Sequence, residues 1–318
     1  MTGDSAARDC AVTLRVIVGP TGAGKSSLAL QLAEARALSI VSADSRQVYA
    51  GFDIGTAKPS ADEQQRVRHY GIDVLPPTAR YSAHAWAADA DTWIRDASAQ
   101  SRPPIIVGGT GFYVRALLAP FDELPPFDTS RREALQRWLT TLSAADIARW
   151  CLRLDPARAH LGRTQQLRAI ETALLLGVRM SEQHAATSAR ARASIRAARY
   201  LVVDPGFVLA ERIRVRVHAM LAAGWIDEVA QLTGCIAPDA PAWQASGYSA
   251  MRDHLSGALS RDAAIERIVI ETRQYAKRQR TWFRHQLHEG PVTQLNPDAP
   301  NAFADALAWY DDERGEER

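Results

Sequence analysis

The chain has 318 residues with 38 Lys+Arg against 36 Asp+Glu, a formal net charge of +2, and is 47% hydrophobic. That length predicts one large or two modest domains, and the apolar share excludes global disorder. The near-neutral balance argues against a histone-like polycation and is silent on local patches. The three cysteines, Cys10, Cys151 and Cys235, are far apart and odd in number, which excludes a disulfide framework and a zinc finger. No apolar run approaches the ~18 residues of a membrane span, and the first eleven residues lack the apolar stretch of a signal peptide. A cytoplasmic chain with no membrane association is expected.

Residues 1–12 are polar and are expected to be loose. Leu14 to Val18 reads as a short buried strand broken by Gly19-Pro20, Ser26 to Leu38 as a helix, and Ser39 to Ser42 as a second strand. His84 to Ala99 reads as a helix, and Ile105 to Val107 as a third strand stopped by Gly108-Gly109. This alternation predicts an α/β fold with a parallel sheet and flanking helices. From Asp128 the pattern is helical without strands, over Thr129–Leu142, Ala144–Leu154 and Thr164–Leu176. Tyr200 to Val203 returns to strand, and long helices follow over Val208–Ala223 and Asp262–His288. The expected organisation is a core in 13–120, a helical insertion in 121–198, core completion in 199–295 and a polar acidic tail in 296–318.

Gly19-Pro20-Thr21-Gly22-Ala23-Gly24-Lys25-Ser26 is a complete G-x-x-x-x-G-K-S between a strand and a helix, the context a phosphate-binding P-loop requires. Its backbone N–H groups and helix N-terminus favour phosphate, Lys25 adds a point charge, and Ser26 offers a hydroxyl to Mg²⁺. The aspartate that nucleotide hydrolases place after an apolar strand is not evident. The strand ending at Val107 runs into Gly108-Gly109-Thr110, and Asp204, before Pro205, reads equally well as a turn residue. Asp44 follows the second strand, where ligands sit in parallel sheets; a turn or N-cap aspartate is the competing reading.

Taken together, Gly19 to Ser26, Ser42 to Ser45, Asp53-Ile54-Gly55-Thr56-Ala57-Lys58-Pro59, Val107 to Tyr113 and Thr272 to Phe283 resemble, in order, the bacterial tRNA dimethylallyltransferase family. The block from Asp53 to Pro59 is the most diagnostic. The resemblance implies a P-loop NTPase-like fold with a helical insertion domain, acting as a monomer with Mg²⁺. It also implies transfer of a dimethylallyl group from its diphosphate to N6 of the adenine 3′ of the anticodon in a tRNA anticodon stem-loop. By the same resemblance Asp44 is the general base, Thr110 lies by the flipped base, and Asp44, Ser45, Arg46 and Gln47 touch RNA. The P-loop and Lys25 hold the diphosphate, with Arg216 as the first choice for a further cation and Arg212 as the second.

The helix after Asp262 carries Arg273, Lys277, Arg278, Arg280 and Arg284 between Thr272 and Arg284 without an acid, interleaved with aromatics, which points to RNA. Arg280, Thr281, Trp282, Phe283, Arg284, His285, Gln286 and Leu287 are the expected contacts there. Gln244, Ala245, Ser246, Gly247, Tyr248 and Ser249 resemble another RNA-contact segment of the family. In the insertion, Arg132 and the run Thr164, Gln165, Gln166, Leu167 and Arg168 match positions that approach tRNA, and the family pattern has arginine where Gln165 stands. An adenylate isopentenyltransferase, a small-molecule P-loop kinase and a non-catalytic RNA-binding protein are the competing functions.

Overall fold

The computed structural model describes residues 13–119, 127–183, 197–287 and 290–312. The expected loose N-terminus, residues 184–196 with Arg190, Arg192 and Arg196, and the acidic residues from Glu313 onward lie outside the described residues. Two compact units are present, Met1–Leu118 with Arg196–Arg318, and Ala119–Ile195.

The first unit is built on β1 (Leu14–Val18), β2 (Ser39–Ser42), β3 (His69–Tyr70), β4 (Pro104–Gly108), β5 (Ala198–Val203) and β6 (Val292–Leu295). They form one parallel sheet in the order β3-β2-β4-β1-β5-β6. The inner strands are buried on both faces, as parallel strands covered by helices must be, which is why they read as continuous apolar runs. Val18 pairs with Gly108 and Val202, and Ser42 with Val107, so the carboxyl ends of β1, β2, β4 and β5 lie level. Strand β3 has two residues, too few for a pattern to register, and β6 has three exposed residues of four. Neither was expected.

On one face, α1 (Lys25–Arg36) packs on the sheet with Leu28, Leu32 and Ala33 buried. A helix α12 (Ala302–Asp311) joins the same core through Ala302, Ala306 and Trp309. This corrects the expectation of a polar tail from residue 296, since the segment turns three small or aromatic side chains inward. Its end is tied down: Arg36 donates to Asp311, Arg199 to Asp312, and Arg15 to the carbonyl of Tyr310. Asp311 stays exposed, as expected, and the bond from Arg36 lowers its carboxyl pKa. Two further helices of this region are α2 (Ala61–Arg66), which Ser60 opens with a capping box, and α3 (Ala83–Ala99). In α3 the indole of Trp86 is fully buried, stacks on Tyr113 of α4 (Gly111–Leu118) at 4.8 Å, and donates to the carbonyl of Ser42.

The second unit contains α5 (Thr129–Thr140), α6 (Ala144–Leu154) and α7 (Arg163–Leu176). Leu139, Ile147, Cys151, Ala169 and Ile170 form its core. Asp128 and Ser143 cap the first two helices through their side chains. The remaining helices belong to the first unit: α8 (Leu209–Ala222), α9 (Trp225–Cys235), α10 (Tyr248–Leu255) and α11 (Arg261–His285). No helix among the described residues is long and apolar enough to cross a membrane.

Trp309 is 5% exposed within the sheet-facing core. Replacement Trp309→Ala is therefore expected to cost about 3–5 kcal/mol, read as a lower urea midpoint with an unchanged slope. A loss below about 1 kcal/mol would show that α12 merely rests on the surface.

Candidate active site

A cavity of about 460 Å³ opens at the carboxyl ends of the strands, where a parallel sheet offers its loops to ligands. Its wall includes Thr21, Lys25 and Ser26 from the P-loop, Asp44, Arg46 and Gln47 from the loop after β2, and Arg216 from α8. Helix α11 contributes Thr272, Tyr275, Arg278 and Gln279 to the same wall, and Ile213, Val217, Met220, Trp225 and Ile268 give it an apolar portion. The sequence-derived residues Lys25, Ser26, Asp44 and Arg216 are thus brought together from three separate places in the chain.

The P-loop follows β1, and Gly22 and Gly24 take φ of 79° and 92°, angles that turn the backbone N–H groups inward and that side chains resist. Lys25 is buried and donates to the carbonyl of Pro20 at 2.8 Å. Burial, and next the charge of Arg216, push its ammonium down to about 8, while Asp44 opposes them. Burial also lowers Arg216, again against Asp44. Two crowded cations therefore face one carboxylate, an electrostatic state that an incoming anion relieves.

Asp44 accepts the N–H of Arg46 at 2.8 Å through Oδ1. The Thr110 hydroxyl accepts the Ser45 N–H at 3.0 Å and is bonded to Tyr275. Thr110, next to Gly108 and Gly109 of the cavity wall, thus holds the loop that carries Asp44. Arg212, the second choice for a diphosphate cation, is away from the wall. It donates to the carbonyl of Ala23 at 3.2 Å and pairs with Asp298, bracing the P-loop from behind. Of these two arginines, Arg216 is the one at the cavity.

Gln279, not among the expected site residues, is a structural link. Its Oε1 accepts the Thr21 N–H at 2.8 Å and its Nε2 donates to the Gly109 carbonyl at 2.8 Å. It thereby fastens α11 to both the P-loop and the turn after β4. A glutamine on an otherwise apolar helix face was the available signal, because a buried amide requires partners.

The expected RNA residues divide by burial. Gln244 and Ser249 are exposed, as are Thr281, Arg284, His285 and Gln286, and Ser246 lines the cavity with its hydroxyl 3.1 Å from that of Thr272. Ala245, Gly247, Tyr248 and Phe283 are buried instead. Tyr248 donates its hydroxyl to Glu228 at 2.6 Å, and burial raises its pKa far above the ordinary tyrosine range. Trp282 packs on Gly111, where a Cβ would lie 2.2 Å from the indole, and Leu287 is half-buried. Arg280 is not a free cation: it pairs with Asp204 and donates to the carbonyl of Gly206. Asp204, considered for a metal, also accepts the Gly206 N–H at 2.9 Å, the turn role.

In the second unit Thr164, Gln165 and Arg168 are exposed. Gln166 turns inward and donates to Ala159 at 2.7 Å, while Leu167 packs on the helical core. Arg132 is engaged by Glu171 at 3.4 Å and lies over the Phe127 ring at 5.1 Å.

A lysine whose folded pKa lies near 8 instead of 10.5 carries a cost that is fully present at lower pH. As pH rises past 8 the folded chain releases this proton before the unfolded chain does, so stability rises. Without ligand or added divalent ion, the protein is expected to gain roughly 2 kcal/mol relative to Lys25→Met between about pH 8 and 9.5 in urea unfolding. Parallel pH profiles for the two proteins would contradict this.

Comparison with known proteins bears directly on this site. Residues 47–286 match the family described as IPP transferase, and residues 12–74 match that described as isopentenyl transferase. A tRNA dimethylallyltransferase of Chromohalobacter salexigens is 39% identical over 302 residues, covering 92% of this chain and 95% of its own. One from Cyanothece sp. is 36% identical over 292 residues, covering 90% and 92%. The crystal structure of the full-length tRNA isopentenylpyrophosphate transferase from Bacillus halodurans superimposes with a TM-score of 0.66 at 29% identity, covering 94% of this chain and 95% of that one. A eukaryotic dimethylallyltransferase acting on tRNA gives a TM-score of 0.75 at 26% identity, covering 93% and 78%. With a P-loop sheet, an anion-seeking cavity and these relatives over nearly its whole length, the chain belongs to the tRNA dimethylallyltransferase family of prenyl-transferring enzymes.

Proposed function

We propose that the cavity transfers a dimethylallyl group from dimethylallyl diphosphate to N6 of the adenine 3′ of a tRNA anticodon, with diphosphate released. The observation that carries this is one wall holding Lys25, Arg216 and Ser26 for an anion, an apolar lining for a short isoprenoid, and Asp44 as a base. The relatives' activity on tRNA supports the acceptor.

An exocyclic adenine amine is a poor nucleophile because its lone pair is delocalised into the ring. Asp44 accepts the N6 proton as the N–C bond forms, and the allylic C–O bond breaks with its electron pair leaving on diphosphate. Lys25 and Arg216, already desolvated, neutralise the growing charge on the leaving group without reorganisation. The P-loop N–H groups orient the phosphates. Ile213, Val217, Met220, Trp225 and Ile268 exclude water from an electron-deficient allylic carbon. The acceptor base leaves the anticodon-loop stack to reach Asp44. The Ser26 hydroxyl in the cavity suits Mg²⁺, whose other ligands would be phosphate oxygens and water. When bound, that ion would supply further neutralisation of the diphosphate. For RNA, the exposed residues Gln244, Ser249, Thr281, Arg284, His285 and Gln286 remain the proposed contacts in the first unit, with Arg278 at the cavity. Thr164, Gln165 and Arg168 are those proposed in the second.

The test is incubation with dimethylallyl diphosphate, Mg²⁺ and either an unmodified tRNA anticodon stem-loop or AMP. Prenylated RNA with no reaction on AMP is expected; prenylation of AMP alone would reverse the assignment of acceptor. Replacement Asp44→Asn is expected to lower turnover about 10²-fold or more while leaving tRNA affinity nearly unchanged. Normal turnover in that variant would remove Asp44 from the base role.

A further inference from the structure

The segment Asp53 to Pro59 contributes Gly55, Thr56 and Ala57 to the cavity wall, yet it is a succession of turns with no ladder of its own. Besides its own turn bonds from Ala57 to Ile54 and from Lys58 to Asp53, it is held from outside. Glu228, on α9, directs its carboxylate at three successive backbone N–H groups: Oε2 accepts from Asp53 at 3.0 Å and Ile54 at 2.6 Å, and Oε1 from Gly55 at a longer 3.5 Å. Convergent amides of this kind form an anion-binding concavity, here filled by the chain's own carboxylate. Tyr248, fully buried on α10, donates its hydroxyl to the same carboxylate at 2.6 Å and so fixes its direction.

The clamp has no slack on its inner side. A Cβ on Gly55 would lie 2.2 Å from Nε1 of Trp225, the first residue of α9 and itself part of the cavity wall. Beyond the clamp, the carbonyls of Thr56 and Ala57 accept from Nε2 of Gln47 at 3.3 and 2.9 Å. Oε1 of Gln47 accepts the Ser42 hydroxyl at 2.9 Å. The bonded path therefore runs from Glu228 through the segment to Gln47 and to Ser42 at the end of β2, two residues before Asp44.

We propose that Glu228 is a positioning residue that holds the Asp53–Ala57 wall and, through Gln47, the Asp44 loop in register for the acceptor base. This rests on the reading of the cavity as the prenyl-transfer site. The phosphate loop is fastened by other groups, Gln279 and Arg212, and is independent of this clamp. Loss of Glu228 thus separates the two halves of the site: it disturbs presentation of the acceptor and leaves the prenyl diphosphate pocket intact.

The experiment uses the full chain with dimethylallyl diphosphate and an unmodified tRNA anticodon stem-loop, comparing wild type with Glu228→Gln and Tyr248→Phe. For Glu228→Gln, kcat is expected to fall about tenfold or more, as for loss of groups that orient site residues, with KM for dimethylallyl diphosphate within about twofold. Amide hydrogen exchange at Asp53, Ile54 and Gly55 is expected to accelerate about tenfold in the ligand-free protein. Tyr248→Phe, which keeps the packing and loses one hydrogen bond, is expected to lower kcat by roughly threefold. Unchanged exchange at these three amides, or unchanged kcat despite faster exchange, would overturn the proposal alone. A rise in KM for dimethylallyl diphosphate matching the fall in kcat would also overturn it, because a general loss of structure moves both. No transfer by the wild-type protein would overturn the reading of the cavity and this proposal with it.

Discussion

Two like charges crowded beside one carboxylate set the terms for this site. Lys25 and Arg216 each lose hydration, and Lys25 is further disfavoured by Arg216, with Asp44 supplying only part of the compensation. In a medium less polarisable than water such repulsion is strong, and it persists because the surrounding fold over-determines each side chain. Lys25 is fixed by the first turn of α1 and the Pro20 carbonyl, Asp44 by the turn after β2, and Arg216 by the buried stripe of α8. A polyanion between the cations converts that cost into binding, and a leaving group that gains charge is held more strongly than the substrate that carries it in.

The sheet makes this possible by levelling four strand ends, and α11 makes it rigid. That helix has a different task on each face. Ala276 packs against Leu209 and Ile213 of α8, which holds the Arg216 helix at its distance. Gln279 bonds the P-loop and the turn after β4 at once. Tyr275 and Arg278 enter the cavity, and Arg280 closes the turn after β5 through Asp204. The acid-free stretch from Thr272 to Arg284 is thus shared between structure and an exposed basic surface. On the opposite side α12 and its arginine contacts cover α1, the helix that carries Lys25.

Much of this was legible in the chain. The buried strands β1, β2, β4 and β5 were readable because parallel strands covered on both faces are unbroken apolar runs, and α6 because Ser143 caps a strongly amphipathic segment. Strand β6, largely exposed, and helix α12, whose buried residues are alanines and one tryptophan, carry no comparable pattern. The division of the RNA candidates was equally hidden. Nothing local separates Gln165, which is exposed, from Gln166, which bonds the Ala159 carbonyl, or Ser249 from the buried Tyr248. A motif carries residue types together; burial within the motif depends on what packs across from it.

By itself the sequence determined the phosphate loop, the alternation that builds a parallel sheet, and an aspartate where such sheets bind ligands, because these depend on spacing over a few residues. It also carried the family's block from Asp53 to Pro59. Only the tertiary structure decided that Arg216 and not Arg212 reaches the cavity, since both lie on one helix a single turn apart and the choice rests on Asp298 and Ala23 taking the other. Only it joined Glu228 to residues more than 170 positions away in the chain. Hydrogen bonds of that kind are set by which surfaces the folded core brings into contact, and no local period records them.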